Sequence, residues 1–360
     1  MEEFKKELIV FIPSIEDGGV EKNLYLILNH LSLELKKIKL ITFDDKEKKR
    51  FRSNIQLINP FLNFPFIKTR YPKYFFCLLS LLRIIIFNKN FTVLSFQANI
   101  FVIILSKIFN IKVLSRSNSS SVGWSKNFFK QLIFSYYFKR ADEVIVNSFE
   151  FKKEMDKKYK INTKCILNPF NFDEIKKKSK KKTGRIFKKK SIKLISIGRL
   201  TDQKDFLTLL KAINILKKKN IELVIIGKGE NRKQLEEYIQ YNNLKNNVKI
   251  LGYKKNPFPY IKQADIFVLT SKFEGSPNVL VEALFLKKHV ISTDCPTGPK
   301  EILGDGKYGD LVKLEDYKSI TEKILLYSKK KSKKNLQKSL NRYDHKKNCK
   351  EYSKLINKYL

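Results

Sequence analysis

Apolar residues along this chain fall into two alternating kinds of run. Residues 7–13 form a nearly continuous apolar stretch, the pattern of a parallel strand buried on both faces. After a loop at 14–19, Val20, Leu24, Ile27, Leu28 and Leu31 recur at helical spacing. Further strands are predicted at 39–43, 91–96, 111–115 and 143–147, with a buried helix at 100–109. The alternation stops between 168 and 190, where Pro169 precedes lysine runs at 176–182 and 188–190. It resumes with strands at 193–197, 223–226, 248–251, 266–269 and 290–292, interleaved with helices at 206–216, 231–241 and 279–285. Such alternation predicts an α/β doubly wound domain, here twice over. The expected boundaries are a first domain at 1–170, an exposed basic linker at 171–190 and a second domain at 191–340. A last helix, within 341–360, is placed to return to the first domain. No solenoid-type repeat is visible.

A length of 360 residues agrees with two cores rather than one. Hydrophobic residues at 42% and charged residues at 30% exclude a disordered or fibrous chain. Lysine and arginine number 74 against 35 acidic residues, a formal charge of +39. That excess favours anionic partners such as phosphates or an anionic membrane face. A codon bias that also enriches isoleucine, asparagine and phenylalanine is the other source of lysine, and composition does not separate the two. Cys77, Cys165, Cys295 and Cys349 are scattered with no C-x-x-C pair, so reduced thiols in a cytoplasm are expected. The first residues lack the long apolar region of a signal peptide. Residues 74–87 are the most apolar segment but contain Arg83 and fall short of the about 20 residues of a spanning helix. They form either a buried helix or one lying on a membrane surface.

The candidate chemistry sits where predicted strands end. The string Phe273-Glu-Gly-Ser-Pro-Asn-Val-Leu-Val-Glu-Ala283 follows the strand at 266–269. Ligands bind beyond the carboxyl ends of strands in such sheets, which puts Glu274 on a loop at the site. Gly275 allows close backbone approach, and Pro277 suits a first helical turn. The amides of Asn278, Val279 and Leu280 would then form an anion site, with Glu282 one turn on. Ile197-Gly-Arg-Leu-Thr-Asp-Gln-Lys-Asp205 likewise joins a strand to a helix, and Arg199 and Lys204 could neutralise a diphosphate. Gly227-Lys-Gly-Glu230 is a short Gly-x-Gly turn and weak evidence of any ligand. In the first domain, Asp17-Gly-Gly-Val-Glu21 offers Gly18 and Gly19 for approach to a phosphate or sugar, or only a strand-to-helix turn. Arg116-Ser-Asn118 follows the strand at 111–115, with a site role and a structural role both open.

The 273–283 string resembles the E-x7-E signature of family 4 glycosyltransferases, with Glu274 and Glu282 as its two acids. The resemblance is strong over 191–303, moderate over 11–31 and 142–169, and weak between. It implies a GT-B fold: two Rossmann-like doubly wound domains facing a cleft, the first binding acceptor and the second nucleotide-sugar. It implies that Glu274 contacts the donor sugar, Glu282 the ribose, and Arg199 with Lys204 the pyrophosphate, next to Gly198 and Gly275. It also places the Gly18–Gly19 loop at the donor phosphates and acceptor, and Leu251-Gly-Tyr253 near the base. Many members carry a histidine near residues 116–118; here the histidines are His30, His289 and His345, so Arg116 or Asn118 would fill that space.

Transfer with retention from a nucleotide-sugar follows from the resemblance. The likeness of 293–301 to bacterial glycan-assembly enzymes points to a UDP-linked N-acetylhexosamine donor and a lipid-linked or polysaccharide acceptor. No D-x-D occurs, so no divalent metal and no cofactor are expected; the nucleotide-sugar is a substrate. The expected partners are that donor, a glycan or lipid-linked acceptor and an anionic membrane surface, with 61–87 as the docking segment on the inner face. A nucleic-acid-binding protein is suggested by charge alone, without a binding motif or a basic stripe, and nucleic acid is not an expected partner. An inactive sugar-binding relative is disfavoured by the intact Glu274, Glu282, Arg199 and Lys204.

Overall fold

The computed structural model describes residues 7–16, 18–44, 48–60, 69–118, 128–329 and 337–360. It divides into two compact units, the first of Met1–Phe170 with Tyr343–Leu360 and the second of Asn171–Arg342.

The first unit runs β1 (Glu7–Phe11), α1 (Gly19–Leu31), β2 (Ile38–Ile41), β3 (Ile55–Ile58), α2 (Arg70–Phe87) and β4 (Phe91–Ser95). It continues with α3 (Asn99–Ile108), β5 (Lys112–Arg116), α4 (Phe128–Phe138), β6 (Glu143–Val146), α5 (Phe149–Tyr159) and β7 (Lys164–Cys165). The strands form one sheet in the order β3-β2-β1-β4-β5-β6-β7, paired in parallel throughout. Alternate residues of each strand feed two cores. Leu8, Val10 and Ile12 pack with Leu24, Ile27 and Leu28 of α1 on one face. Ile9, Phe11 and Val93 pack with Cys77 and Leu81 of α2, Val102 of α3 and Phe151 of α5 on the other.

The second unit holds α6 (Phe172–Ser179), β8 (Ile192–Ile197), α7 (Phe206–Ile215), β9 (Ile221–Ile226), α8 (Arg232–Tyr241), β10 (Val248–Ile250) and α9 (Phe258–Gln263). Then come β11 (Ile266–Leu269), α10 (Asn278–Phe285), β12 (His289–Thr293), α11 (Pro299–Leu303), β13 (Asp310–Val312), α12 (Tyr317–Lys329) and α13 (Gln337–Leu340). Its parallel sheet has the order β10-β9-β8-β11-β12-β13. The last helix, α14 (His345–Ile356), belongs to the first unit: Cys349, Tyr352, Leu355 and Ile356 complete the α1 side of the core.

Three expectations change. Residues 171–190 are not a bare linker. α6 buries Ile175 against the second unit, Phe187 is buried too, and Gln263 bonds the Ile186 amide at 3.2 Å and the Thr183 hydroxyl at 3.0 Å. The lysines of that stretch occupy the outer face of structure already folded. Three strands were not foreseen, β3, β7 and β13; they are short and lie at or near sheet edges, where a long apolar run is not needed. The apolar segment 74–87 is a helix only partly buried. α2 buries Cys77, Leu81 and Ile85 on one face and exposes Phe75, Leu79, Ile86 and Phe87 on the other.

Both sheets reverse strand order beside their first strand, between β1 and β4 and between β8 and β11. The loops leaving the carboxyl ends of those strands are the ligand-binding positions of this kind of sheet.

Candidate active site

In the second unit the two loops at the switch point are sewn together by their own side chains. The chain leaves β8 through Gly198, whose missing Cβ would lie 3.3 Å from Cγ and Cδ of Lys204. The lysine stem therefore packs directly over the glycine. Asp205, at φ 45°, turns the chain into α7 and caps it by accepting from the Thr208 amide at 3.3 Å, with the Thr208 hydroxyl donating to its other oxygen at 2.7 Å. The Thr270 hydroxyl donates to the Lys204 carbonyl at 2.9 Å, and the Lys272 amide to the Gln203 carbonyl at 2.8 Å. The Gln203 side-chain amide donates to the Phe273 carbonyl at 2.9 Å. These bonds fix the loop after β8 against the loop after β11.

Their consequence is an ion pair between Lys204 Nζ and Glu274 Oε1, with the side chains only 13% and 8% exposed. A pair so withdrawn from water is held by its surroundings, and removing one partner strands the other charge at a cost of about 3–5 kcal/mol. Arg199 is exposed by contrast, with Nη2 3.2 Å from Gln203 Oε1. One cation is thus buried in an ion pair and the other lies exposed, bonded to Gln203.

Glu274 is held from behind by the loop after β12. The Thr297 hydroxyl donates to the Glu274 carbonyl at 2.6 Å. Gly298, at φ 91°, brings its backbone so close that a Cβ would sit 2.7 Å from the Gly275 carbonyl and 2.8 Å from Pro277 Cδ. Any other residue there would push Gly275 and Glu274 out of position. Cys295 lies behind the same loop, its thiol pushed up by burial and then by the negative charge of Glu274, so it stays an inert thiol.

α10 begins after Pro277. Asn278 and Glu282 are buried and Val279 half-buried. The Leu280 amide donates to the Pro277 carbonyl at 3.0 Å, closing the first turn, so it is not open to a ligand as the sequence suggested. The first-turn positions of Asn278 and Val279 remain in the candidate anion site.

The turn at Gly227 and Gly229 has a packing reason. A Cβ on Gly227 would fall 1.8 Å from the Gly198 carbonyl, and one on Gly229 2.3 Å from the Leu200 carbonyl. These glycines let the loop after β9 press against the loop that carries Arg199 and Lys204. Gly252 continues the same stack, its carbonyl accepting from the Gly227 amide at 3.1 Å.

In the first unit, Asp17 lies outside the described residues. Gly18 caps α1, and its amide lies 3.1 Å from Glu21 Oε2. A Cβ on Gly18 would come within 2.7 Å of that oxygen, so the glycine makes room for the Glu21 carboxyl. Burial lifts that carboxyl to about 7, and the nearby charge of Glu16 adds to the effect against hydrogen bonds that lower it. Gly19, exposed, opens the helix. The loop before them is clamped by Gln97, which accepts from the Ser14 amide at 3.2 Å and donates to its carbonyl at 3.0 Å.

Arg116 does not reach a surface. It is fully buried, with Nε 2.8 Å from the Tyr352 hydroxyl of α14 and Nη2 2.8 Å from Asn168 Oδ1. Its role is to tie the end of β5 to the returning C-terminal helix, which corrects its candidacy as a sugar contact. Asn118 is half-buried and donates to the Phe96 carbonyl at 3.0 Å, bridging the ends of β4 and β5. Glu21, Gln97, Gln203, Thr297 and Gly298 were all missed as supporting residues. Only Glu21 had a signal, the glycine–glutamate spacing of a capping box.

The second unit is thus a doubly wound domain with a buried lysine–glutamate pair at its switch point. Residues 175–354, half of the chain, match the family of glycosyl transferases group 1, and the chain belongs to that family. An uncharacterized glycosyltransferase of Methanocaldococcus jannaschii is 36% identical over 59% of this chain and 59% of its own length. A Campylobacter jejuni enzyme is 28% identical over 88% of each chain. Its description is N-acetylgalactosamine-N,N'-diacetylbacillosaminyl-diphospho-undecaprenol 4-alpha-N-acetylgalactosaminyltransferase. Among solved structures, Anabaena Alr3699/HepE in complex with UDP and glucose superposes with a TM-score of 0.80 at 17% identity, over 97% of this chain and 99% of that one. The fold is GT-B, as the 273–283 string implied.

Proposed function

We propose that the chain is a retaining glycosyltransferase that moves an N-acetylhexosamine from its UDP donor to a lipid-linked glycan, without a divalent metal. The observation that carries this reading is the buried Lys204–Glu274 pair between the loops after β8 and β11. In the proposed cycle the arriving diphosphate takes over Lys204, and Glu274 is released to accept hydrogen bonds from the donor sugar. The bond from the anomeric carbon to the diphosphate oxygen then breaks, its electron pair staying on the diphosphate, while the acceptor hydroxyl oxygen bonds to the anomeric carbon on the face the diphosphate leaves and gives its proton to the departing diphosphate. Lys204 and Arg199 offset that growing charge, the task a metal performs elsewhere. Glu282 accepts from the ribose hydroxyls, while Asn278 and Val279 present the first turn of α10 to the phosphates. Gly198 and Gly275 act through the neighbours they admit. The Gly18–Gly19 contact with donor rests on family likeness. Support for UDP comes from its presence in the Anabaena complex, and for the sugar and acceptor from the name of the Campylobacter relative.

The test is transfer to a diphospholipid-linked acceptor with a panel of UDP- and GDP-sugars, with and without EDTA. Turnover with a UDP-N-acetylhexosamine, insensitive to EDTA and giving an α-linked product from the α-linked donor, agrees with the proposal. Turnover restricted to a GDP-sugar, a product of inverted configuration, or activity lost to EDTA and restored by magnesium overturns the corresponding part.

A further inference from the structure

One face of the first unit has a surface that sugar transfer does not explain. α2, α3 and α4 lie side by side over the same side of the sheet, each burying an inner stripe there. Their outer sides are apolar. Of the eighteen large apolar side chains exposed among the described residues, eleven stand on these three helices, so the exposure is concentrated rather than scattered. Tyr71 is 80% exposed, Phe87 81% and Phe129 73%. On α2 the outward positions Tyr71, Phe75, Leu79 and Arg83 recur every fourth residue, a single stripe along the helix. Contiguous apolar surface of this kind marks an interaction site.

The charge on the same surface is of one sign. Residues 48–141 contain sixteen lysines and arginines and not one aspartate or glutamate. A codon bias toward lysine would add cations to every helix, but it would not strip carboxylates from three neighbours in a row. α5, next along the same face, keeps Glu150, Glu154 and Asp156. Lys107 and Lys112 pair with Asp142, and Lys73 with Asp44, at the margins. Arg83, Lys130, Lys139 and Arg140 are exposed, with the Arg140 guanidinium stacked 3.4 Å from the centre of the Tyr136 ring.

From this surface we infer that α2, α3 and α4 form a plate that docks flat on a bilayer containing anionic lipid. Basic residues among exposed aromatic and aliphatic side chains match the boundary between headgroups and acyl chains. No described helix is long and apolar enough to cross a membrane, which agrees with a plate lying in the interface. A second copy of the chain fits less well, since plate-to-plate pairing sets two basic faces without an acid against each other. Nucleic acid would meet the cations but leave Leu79, Ile86 and Leu132 without a partner. The inference is independent of the proposed reaction, because docking is read without donor or acceptor.

The experiment is co-sedimentation of the full chain with vesicles of phosphatidylcholine alone and of phosphatidylcholine mixed with phosphatidylglycerol. Binding is expected to the mixed vesicles only, and to weaken as salt rises. Arg83→Glu with Lys130→Glu should lower the partition coefficient at least about ten-fold, since each basic residue near such a surface is worth roughly five-fold. Phe75→Ser with Phe87→Ser should lower it at any salt. Both variants should keep the thermal unfolding midpoint of the parent, showing the fold intact. Equal binding to both vesicles, or no binding to either, overturns the inference. So does a dimer that Phe75→Ser with Phe87→Ser dissolves, or an oligonucleotide bound more tightly than the mixed vesicles.

Discussion

The two units share one wind of strands, first strand central and order reversing beside it, yet they spend their charged residues differently. In the second unit, cations and carboxylates meet. Lys204 pairs with Glu274 at the switch point, and Arg232 with Glu236 and Lys178 with Glu174 on the outer helices. In the first unit, α2, α3 and α4 carry cations and exposed apolar side chains but no acid, while the switch point holds a buried Glu21 that accepts from the Gly18 amide and, among the described residues, has no lysine partner. The comparison teaches that topology supplies the loop positions and nothing more. In the proposed reaction, which loop takes the diphosphate depends on whether a cation is packed there, as Gly198 permits for Lys204.

The largest expected effect breaks the second unit's side of the comparison. Lys204→Ala should lower kcat about 10²–10³-fold, the usual consequence of removing one preorganised donor to a developing oxyanion. It also strands Glu274, so the double variant Lys204→Met with Glu274→Gln should recover most of the lost stability and none of the activity. Recovery of activity in the double variant would place both residues outside the chemistry.

Next comes Glu21, which sharpens the contrast between a paired and an unpaired carboxylate. Its folded value of about 7 lies above the ordinary 4.5, so the folded state holds a proton that the unfolded chain has lost between those pH values. Stability should therefore be full below about pH 4.5, fall as pH rises toward 7 and then level off, a loss of about 3 kcal/mol from this group. Glu21→Gln should unfold in urea like the parent at pH 4.5 and be more stable by about that amount at pH 8. Identical urea midpoints at pH 8 would show that Glu21 titrates normally.

A smaller effect tests the clasp between β5 and α14. Tyr352→Phe leaves Arg116 Nε buried and without its acceptor, at about 1–3 kcal/mol. Thermal unfolding should shift down, with UDP affinity unchanged because the second unit is not involved. The smallest effect is expected of EDTA, which should leave turnover where it was.

Much of the second unit was legible before the structure. Its strands are continuous apolar runs, and the 273–283 string joins strand to helix in the order the site requires. Short strands near the edges, β3, β7 and β13, escaped because they bury too little to need a long apolar run. The 171–190 stretch was misread because lysine content reports the outer face of α6 and is silent about Ile175 and Phe187 beneath it. Arg116 was left open between two roles for a related reason. A cation at a strand's carboxyl end suggests a ligand, and only the fold shows Tyr352, 236 positions later, already bonded to it. Gln203, Thr297 and Gly298 act through backbone carbonyls and close approach, and neither leaves a pattern in a single sequence.

The central claim is that Glu274 is bonded to Lys204 until the donor arrives, while Glu282 serves the nucleotide throughout. Titration calorimetry with UDP on Glu274→Gln and Glu282→Gln, followed by steady-state kinetics, tests it most directly. Glu282→Gln should weaken UDP binding and raise KM more than it lowers kcat, as loss of a uniform interaction does. Glu274→Gln should bind UDP at least as tightly as the parent, since Lys204 is freed for the diphosphate, and yet transfer sugar far more slowly. Loss of UDP affinity in Glu274→Gln with parental affinity in Glu282→Gln would contradict the account.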